Sequence, residues 1–205
     1  MNLKKISFFF ILTIVSVSAY LFLSGEPQVL NHPSKGTGVV AFGDSLVYGQ
    51  GSTSGNDFVS LLSKELGLPI KNFGVSGDTT SLALIRIDEV LKEKPKVVMV
   101  LLGGNDYLRK IPKEETFKNL SEIVRKFQST GAVVVVLGVR GGILRDSYEE
   151  DFKNFAKEHK TAYVSNVLDG LFGNGQFMFD SIHPNDKGYA VIASRVLPVL
   201  RQYVE

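Results

Sequence analysis

The fold is decided by one stretch near the start of the chain, Val39-Val40-Ala41-Phe42-Gly43-Asp44-Ser45-Leu46. Four apolar residues stand in a row and are followed at once by glycine and two polar residues. A short apolar run without alternation is typical of a strand that is buried on both faces, as in a parallel sheet. Glycine, aspartate and serine are residues that form turns and begin helices. The stretch therefore predicts a buried strand with a polar turn at its carboxyl end.

The same pattern recurs outward from this stretch, with short apolar runs separated by longer amphipathic segments. We predict strands at residues 39–42, 70–73, 97–102 and 133–137, and a weaker one at 162–164. Helical periodicity is found at residues 58–66, 82–91, 114–127, 148–159 and 187–203. Strands that alternate with helices form a parallel sheet with right-handed crossovers and helices on both faces. We expect an α/β protein: a three-layer α/β/α sandwich of the flavodoxin-like type, with a mostly parallel sheet of about five strands.

Polar clusters follow the predicted strands, where a parallel sheet collects its reactive groups. The clusters are Gly43-Asp44-Ser45-Leu46, Gly74-Val75-Ser76-Gly77-Asp78-Thr79, Gly103-Gly104-Asn105-Asp106 and, before the last helix, Asp180-Ser181-Ile182-His183-Pro184. Each cluster alone is compatible with an ordinary turn. Four such clusters, with a serine in one and an Asp/His pair in another, indicate a catalytic site. We expect Asp78 and Asp106 to be cap or turn residues.

Acyl transfer is the chemistry that these residues can perform. A serine hydroxyl needs an imidazole to take its proton, and the imidazole needs a partner that fixes its tautomer. Ser45, His183 and Asp180 supply the three groups. The oxyanion of a tetrahedral intermediate needs hydrogen-bond donors. The candidates are the backbone N–H groups of Ser45 and Gly77 and the side-chain amide of Asn105.

The four clusters resemble the conserved blocks of the SGNH hydrolase superfamily, also called the GDSL esterase/lipase family. The bacterial periplasmic thioesterase/lysophospholipase and arylesterase group is the most similar, and the likeness runs from about Val39 to the C-terminus. It implies Ser45 as nucleophile, His183 as base and Asp180 as the orienting acid, with Ser45, Gly77 and Asn105 as oxyanion donors. It also implies a hydrolase of carboxylic esters, with acyl and aryl esters, lysophospholipids and thioesters as substrate classes. We expect no metal and no cofactor.

Three other functions remain open at this point. A carbohydrate O-acetylesterase is the main alternative, because this fold hosts many ester chemistries. A metal-dependent phosphoesterase would gather Asp44, Asp78, Asp106, Asn105 and His183 around metal ions, and a chelator would abolish its activity. A surface binding domain that keeps the fold without catalysis would not hydrolyse a chromogenic ester.

Two stretches near the predicted site are candidates for substrate contacts. Arg140-Gly141-Gly142-Ile143-Leu144 follows the fourth strand, and residues 168–179 lead directly into Asp180. Their apolar side chains can line an acyl groove. In the alternative interpretation, Leu171, Phe172, Phe177 and Phe179 pack onto the sheet.

Composition and the N-terminus set the wider limits. The chain has 205 residues, a net charge of +2 and no cysteine. The small charge speaks against a nucleic-acid surface, and the lack of cysteine excludes disulfides and a thiolate nucleophile. Lys4 and Lys5 precede an uncharged apolar run at residues 6–23. This order is typical of a signal peptide or a membrane anchor with the rest of the chain outside the cytoplasm.

These observations divide the chain into three parts. Residues 1–25 are predicted to be the signal peptide or N-terminal membrane anchor, 26–37 a linker and 38–205 the hydrolase domain. The predicted location is periplasmic or extracytoplasmic, anchored to the membrane if the N-terminal segment is not cleaved. The expected partner is a small-molecule ester or lipid substrate, without nucleic acid, and the protein is expected to be a monomer.

Overall fold

The centre of the molecule is a five-stranded parallel sheet. The structure, a computed structural model, describes residues 28–139 and 148–204. The strands are β1 (Val39–Gly43), β2 (Ile70–Gly74), β3 (Val97–Leu101), β4 (Val133–Leu137) and β5 (Ala162–Val164), in the order β2-β1-β3-β4-β5. Every pairing is parallel. The expected parallel sheet of five strands is confirmed.

The inner strands are buried along their whole length, as their uninterrupted apolar sequences predict. Every residue of β1, β3 and β4 is buried. Val97 of β3 lies opposite Val39 of β1 and Val133 of β4, so β-branched side chains stack across the sheet. The edge strand β2 contains the exposed residues Lys71 and Asn72, because it has only one neighbour.

Helices cover both faces of the sheet and complete the three layers. They are α1 (Ser45–Tyr48), α2 (Phe58–Leu66), α3 (Thr80–Ile85), α4 (Ile87–Leu91), α5 (Gly104–Leu108), α6 (Lys113–Ser129), α7 (Tyr148–Glu158) and α8 (Asp186–Val204). Helices α2 and α8 pack together, and α3 and α4 pack against α6. Aromatic contacts of Phe117 with Phe152 and Phe155 join α6 to α7. The three-layer α/β/α arrangement agrees with the prediction.

The structure corrects one predicted helix and adds two short ones. Residues 82–91 were expected to form a single helix, but α3 ends and α4 begins at Arg86, whose φ of −102° and ψ of 5° are not helical. The Arg86 side chain is held by groups outside the helix, which favours the break. Helices α1 and α5 have four and five residues, too few for a periodic pattern in the sequence.

The described part of the predicted linker lies where the parallel strands begin, which we call the amino-terminal edge of the sheet. The Asn31 side chain donates hydrogen bonds to the carbonyl groups of Gln128 (2.7 Å) and Ala132 (3.0 Å), and Ser34 Oγ donates to Gly131 O (2.7 Å). The predicted signal or anchor at residues 1–25 lies outside the described residues, as does the candidate substrate stretch at 140–144. Within residues 28–139 and 148–204, no helix is long and apolar enough to cross a membrane.

Candidate active site

The first part of the site is the turn between β1 and α1. Ser45 is the first residue of α1, and its exposed fraction is 8%. Asp44 caps this helix, because its Oδ1 accepts a hydrogen bond from the N–H of Leu46 at 3.0 Å. Gly43 has no space for a side chain, since a Cβ atom there would lie 2.2 Å from Leu101 O on β3. Close packing of β1 against β3 at Gly43 therefore fixes the position of the turn in which Ser45 lies.

The second part is the loop that precedes α8, in which Asp180 and His183 form a tight turn. The N–H of Phe179 donates to His183 O at 2.8 Å, and Met178 forms an antiparallel bridge with Pro184. Asp180 Oδ1 accepts the backbone N–H groups of Ile182 and His183, each at 2.7 Å. One carboxylate oxygen thus organises the turn, and the other is left for the imidazole.

The structure brings Ser45, His183 and Asp180 together in one chain of hydrogen bonds. His183 Nε2 lies 3.1 Å from Ser45 Oγ, and His183 Nδ1 lies 2.8 Å from Asp180 Oδ2. Burial raises the pKa of Asp180, but hydrogen bonds from the ring and backbone of His183 and from Ile182 outweigh it and lower the pKa to about 2. Asp180 is therefore ionised and acts only as an acceptor. Nδ1 must carry the ring proton, which leaves Nε2 free to accept the proton of Ser45.

The predicted oxyanion donors lie at the ends of β1, β2 and β3. Within the described residues, the backbone N–H groups of Ser45 and Gly77 donate to no protein acceptor. Gly77 has a φ of +85°, a left-handed conformation that favours glycine. Asn105 Nδ2 donates to Asp78 O at 2.9 Å, which fixes the amide beside the loop after β2 and leaves its second N–H unpaired in the described structure.

Three buried carboxyl groups brace the loops around the site. Asp106 accepts hydrogen bonds from Thr80 N (2.9 Å) and Thr80 Oγ1 (2.5 Å), so it caps α3 from a different element. Asp78 pairs with Arg86. Burial raises the pKa of Asp44 to about 7, and the charges of Asp78 and Asp106 add to the increase. In the part of the chain that the structure describes, no three His, Asp or Glu side chains are grouped so that they could hold a metal ion.

Arg86 is the residue near the site that the sequence did not reveal. Its Nε lies 2.6 Å from Asp78 Oδ2, its Nη2 donates to Gly43 O at 2.9 Å, and its guanidinium lies 4.5 Å from the centre of the Phe42 ring. An arginine within an amphipathic helical pattern normally predicts a solvent-exposed position. No signal in the sequence marked it, because its partners are eight and more than forty residues away.

In the loop at residues 168–179, most of the large apolar side chains pack against the core. Leu171 is buried, and Phe172 and Phe177 pack against the hydrophobic core. Phe179 differs, with an exposed fraction of 65%. It borders an open depression of about 710 Å³ whose lining includes Gln50, Thr53, Gln176 and Lys187. The packing interpretation therefore holds for Leu171, Phe172 and Phe177, whereas the side chain of Phe179 is largely exposed.

The chain is similar to known ester-hydrolysing proteins along most of its length. Residues 41–191 match the sequence profile of the GDSL-like Lipase/Acylhydrolase family. Esterase TesA of Pseudomonas aeruginosa is 30% identical over 175 residues, which cover 80% of this chain and 87% of that protein. Thioesterase 1/protease 1/lysophospholipase L1 of Escherichia coli K12 is 26% identical over 175 residues, or 81% and 84% of the two chains. A crystal structure of TesA has a TM-score of 0.76 at 29% identity, and the match covers 82% of this chain and all of the other.

Proposed function

Because this chain belongs to the GDSL-like lipase/acylhydrolase family and is an ester-hydrolysing enzyme, we propose that Ser45, His183 and Asp180 form its catalytic triad. Ser45 is the nucleophile, His183 the general base and acid, and Asp180 the group that orients the imidazole. The backbone N–H groups of Ser45 and Gly77 and the side chain of Asn105 form the oxyanion hole. The substrates are small carboxylic esters, with acyl and aryl esters, thioesters and lysophospholipids as the classes to examine.

The observation that carries this proposal is the uninterrupted path from Ser45 Oγ through the imidazole to Asp180. The distances of 3.1 Å and 2.8 Å are both within hydrogen-bond reach, and they involve different nitrogen atoms of the ring. A pKa of about 2 keeps Asp180 negatively charged near neutral pH. This negative charge stabilises the imidazolium that forms when His183 takes a proton.

The first half of the reaction is acylation of Ser45. His183 Nε2 takes the hydroxyl proton while Ser45 Oγ forms a bond to the carbonyl carbon of the ester. The electron pair of the carbonyl moves to its oxygen, which accepts hydrogen bonds from the oxyanion donors. The bond to the alkoxy oxygen then breaks, and the departing alcohol takes its proton from His183. The product is an acyl-Ser45 enzyme.

The second half repeats these steps with water. His183 Nε2 takes a proton from the water molecule as the water oxygen attacks the acyl carbon. The intermediate collapses, the bond to Ser45 Oγ breaks, and that oxygen recovers its proton from His183. A carboxylic acid leaves, and the site returns to its starting state. Every proton transfer in the two halves involves Nε2 of His183, so one imidazole serves both halves.

Substituting Ser45 and Asn105 tests this proposal. Ser45→Ala should abolish hydrolysis of p-nitrophenyl acetate while the protein remains folded, because loss of the triad nucleophile leaves only oxyanion and binding contributions. Asn105→Ala retains the nucleophile and should lower kcat by roughly a hundredfold or more. Hydrolysis is followed by absorbance, and circular dichroism reports the fold.

Ser121 provides a matched control for the Ser45 substitution. Its Oγ lies 2.9 Å from Nε2 of His159, so it is also a serine beside a histidine, but it stands within α6, away from the strand ends. Ser121→Ala should retain full activity. If folded Ser45→Ala had the same turnover as the parent protein, the triad assignment would be overturned.

A further inference from the structure

We infer that Arg86 is a positioning residue for the oxyanion hole, acting through the loops that carry the donors and not through contact with the substrate. The inference rests on the proposed function, since it concerns the donors assigned there. Arg86 Nη2 donates to Gly43 O at 2.9 Å, and Arg86 Nε lies 2.6 Å from Asp78 Oδ2. Gly43 stands two residues before Ser45, and Asp78 directly follows Gly77. One side chain therefore joins the two turns that present the backbone donors.

The third donor is connected to the same arrangement. Asn105 Nδ2 donates to the carbonyl of Asp78 at 2.9 Å, while the carboxylate of Asp78 pairs with Arg86. Gly43 O accepts a second hydrogen bond, from the N–H of Val75 at 3.0 Å. These four polar contacts are among those that connect the ends of β1, β2 and β3, and Arg86 makes two of the four. Loss of Arg86 removes the only side chain, among the described residues, that bonds both Gly43 and Asp78.

The surroundings of Arg86 give these contacts strength and direction. The side chains of Arg86 and Asp78 are 20% and 8% exposed, so water screens their attraction less than at the surface. The guanidinium also lies 4.5 Å from the centre of the Phe42 ring, which stabilises a cation. A guanidinium is a planar fork that can reach a carboxylate and a carbonyl at once, whereas a lysine ammonium is a single point charge. Lysine at this position can bond either Gly43 O or the Asp78 carboxylate, but it cannot hold both groups in fixed positions.

A second arginine at the site makes a weaker version of the contact. Arg109 Nη2 donates to Gly77 O at 2.8 Å, but Arg109 is exposed and has a single partner in the described structure. Exposed contacts of this kind contribute little, because solvent screens them and the side chain loses entropy on being fixed. Positioning should therefore depend much more on Arg86 than on Arg109.

The inference predicts that substitutions of Arg86 act on the transition state and leave substrate binding nearly unchanged. Arg86→Lys and Arg86→Met in the full chain should lower kcat for p-nitrophenyl acetate by roughly tenfold to a hundredfold, because small displacements at a reacting centre have effects of this size. KM should change little. The rate constant for inactivation by p-nitrophenyl ethylphosphonate should fall in parallel with kcat. In that reaction Ser45 Oγ bonds to phosphorus, p-nitrophenolate leaves, and the phosphoryl oxygen needs the same donors.

Two further variants separate positioning from general support of the fold. Arg195 donates to Val167 O and Asp169 O, each at 2.7 Å, and so provides an arginine with two loop contacts away from the oxyanion donors. Arg195→Met should lower the free energy of unfolding in urea but leave kcat unchanged. Arg86→Ala should regain part of its lost kcat when millimolar guanidinium chloride is added, and sodium chloride at the same concentration should not have this effect.

The outcomes distinguish this inference from the proposed function. An active Ser45→Ala variant would overturn the proposed function itself. If Ser45→Ala is inactive but Arg86→Lys keeps the parent kcat, Arg86 does not position the donors. A fall in kcat for Arg86→Met without a matching fall in the phosphonate inactivation rate, or without rescue of Arg86→Ala by guanidinium, would also overturn the inference and leave the triad in place.

Discussion

At the scale of single residues, Asp44 caps α1, but its ionisation destabilises the folded protein. It is 3% exposed, and burial raises its pKa to about 7 from an ordinary value of 3.8. The folded protein therefore binds a proton that the unfolded chain releases between these two pH values. Stability contributed by this group is fully present below pH 3.8 and is lost as the pH rises toward 7.

Replacing Asp44 with asparagine should reverse this loss. Asparagine keeps an oxygen that can accept the N–H of Leu46 but cannot ionise. Near pH 8, Asp44→Asn should be more stable than the parent by on the order of 4 kcal/mol, and the difference should vanish as the pH approaches 4. Urea unfolding at a series of pH values measures this difference directly. A difference that stays constant with pH would contradict the assignment.

Asp186 provides a control, because its pKa is shifted in the opposite direction to that of Asp44. Its carboxylate accepts hydrogen bonds from the N–H and Oγ1 of Thr53, which lower its pKa. Its contribution to stability is present above its unfolded pKa and is lost as the pH falls through its lower folded value. Asp186→Asn should therefore be less stable than the parent near neutral pH.

The residues of the site differ in how far the sequence could predict them. Ser45, Asp180 and His183 could be proposed from the sequence because each lies in a short cluster whose residue types are themselves the signal, and the structure brings the three side chains together. Arg86 was missed because its partners come together only when β1 and the loop after β2 are already in place. Asp44 lies in one of these clusters, but its raised pKa depends on burial and on the charges of Asp78 and Asp106, which are distant in the sequence.

At the scale of secondary-structure elements, the cap of α2 can be tested in isolation from the site. Asp57 precedes this helix, and its carboxylate accepts hydrogen bonds from Ser60 N at 2.9 Å and Ser60 Oγ at 2.5 Å. Asp57→Ala should lower the free energy of unfolding by about 1 kcal/mol, whereas Asp57→Asn should lose less because it retains an acceptor. Urea unfolding followed by circular dichroism measures both, and kcat should be unchanged. Equal stability of Asp57→Ala and the parent would show that the cap contributes nothing.

The strands were easier to predict than the helices. A strand buried on both faces must be apolar throughout, so β1, β3 and β4 were visible as runs of valine and other apolar residues. The break between α3 and α4 was not visible, because Arg86 leaves the helix to satisfy tertiary partners, and local propensity does not report these. The strand order was also hidden, since it depends on which pairs of strands meet in space.

At the scale of the whole molecule, strand order explains where the site lies. In the order β2-β1-β3-β4-β5, the chain reverses direction across the sheet between β1 and β3. The connection that follows β1 and the connection that follows β3 run in opposite directions, which leaves a crevice between them at the carboxyl ends of the strands. Ser45 follows β1 and Asn105 follows β3, so the proposed nucleophile and a proposed oxyanion donor stand on the two sides of this crevice.

The N-terminal end of the described chain lies at the opposite edge of the sheet. Asn31 and Ser34 bond to Gln128, Gly131 and Ala132, which precede β4, whereas Ser45 lies beyond the carboxyl end of β1. A strand of five residues separates these edges by roughly 16 Å. If residues 6–23 anchor the protein, as their sequence predicts, the bilayer adjoins the amino-terminal edge and the catalytic crevice faces away from it.

Single-cysteine labelling tests this orientation, because the chain has no cysteine of its own. Lys35→Cys places a fluorophore at the amino-terminal edge, and Phe179→Cys places one beside the crevice; both positions are exposed. In phosphatidylcholine vesicles that contain a headgroup quencher, full-length protein should show much stronger quenching at position 35 than at 179. Removing residues 1–25 should abolish quenching at both positions and leave kcat/KM for p-nitrophenyl acetate unchanged, since the described part of the linker makes its side-chain hydrogen bonds to residues that precede β4. Equal or stronger quenching at position 179 would place the crevice against the membrane and reverse the predicted orientation.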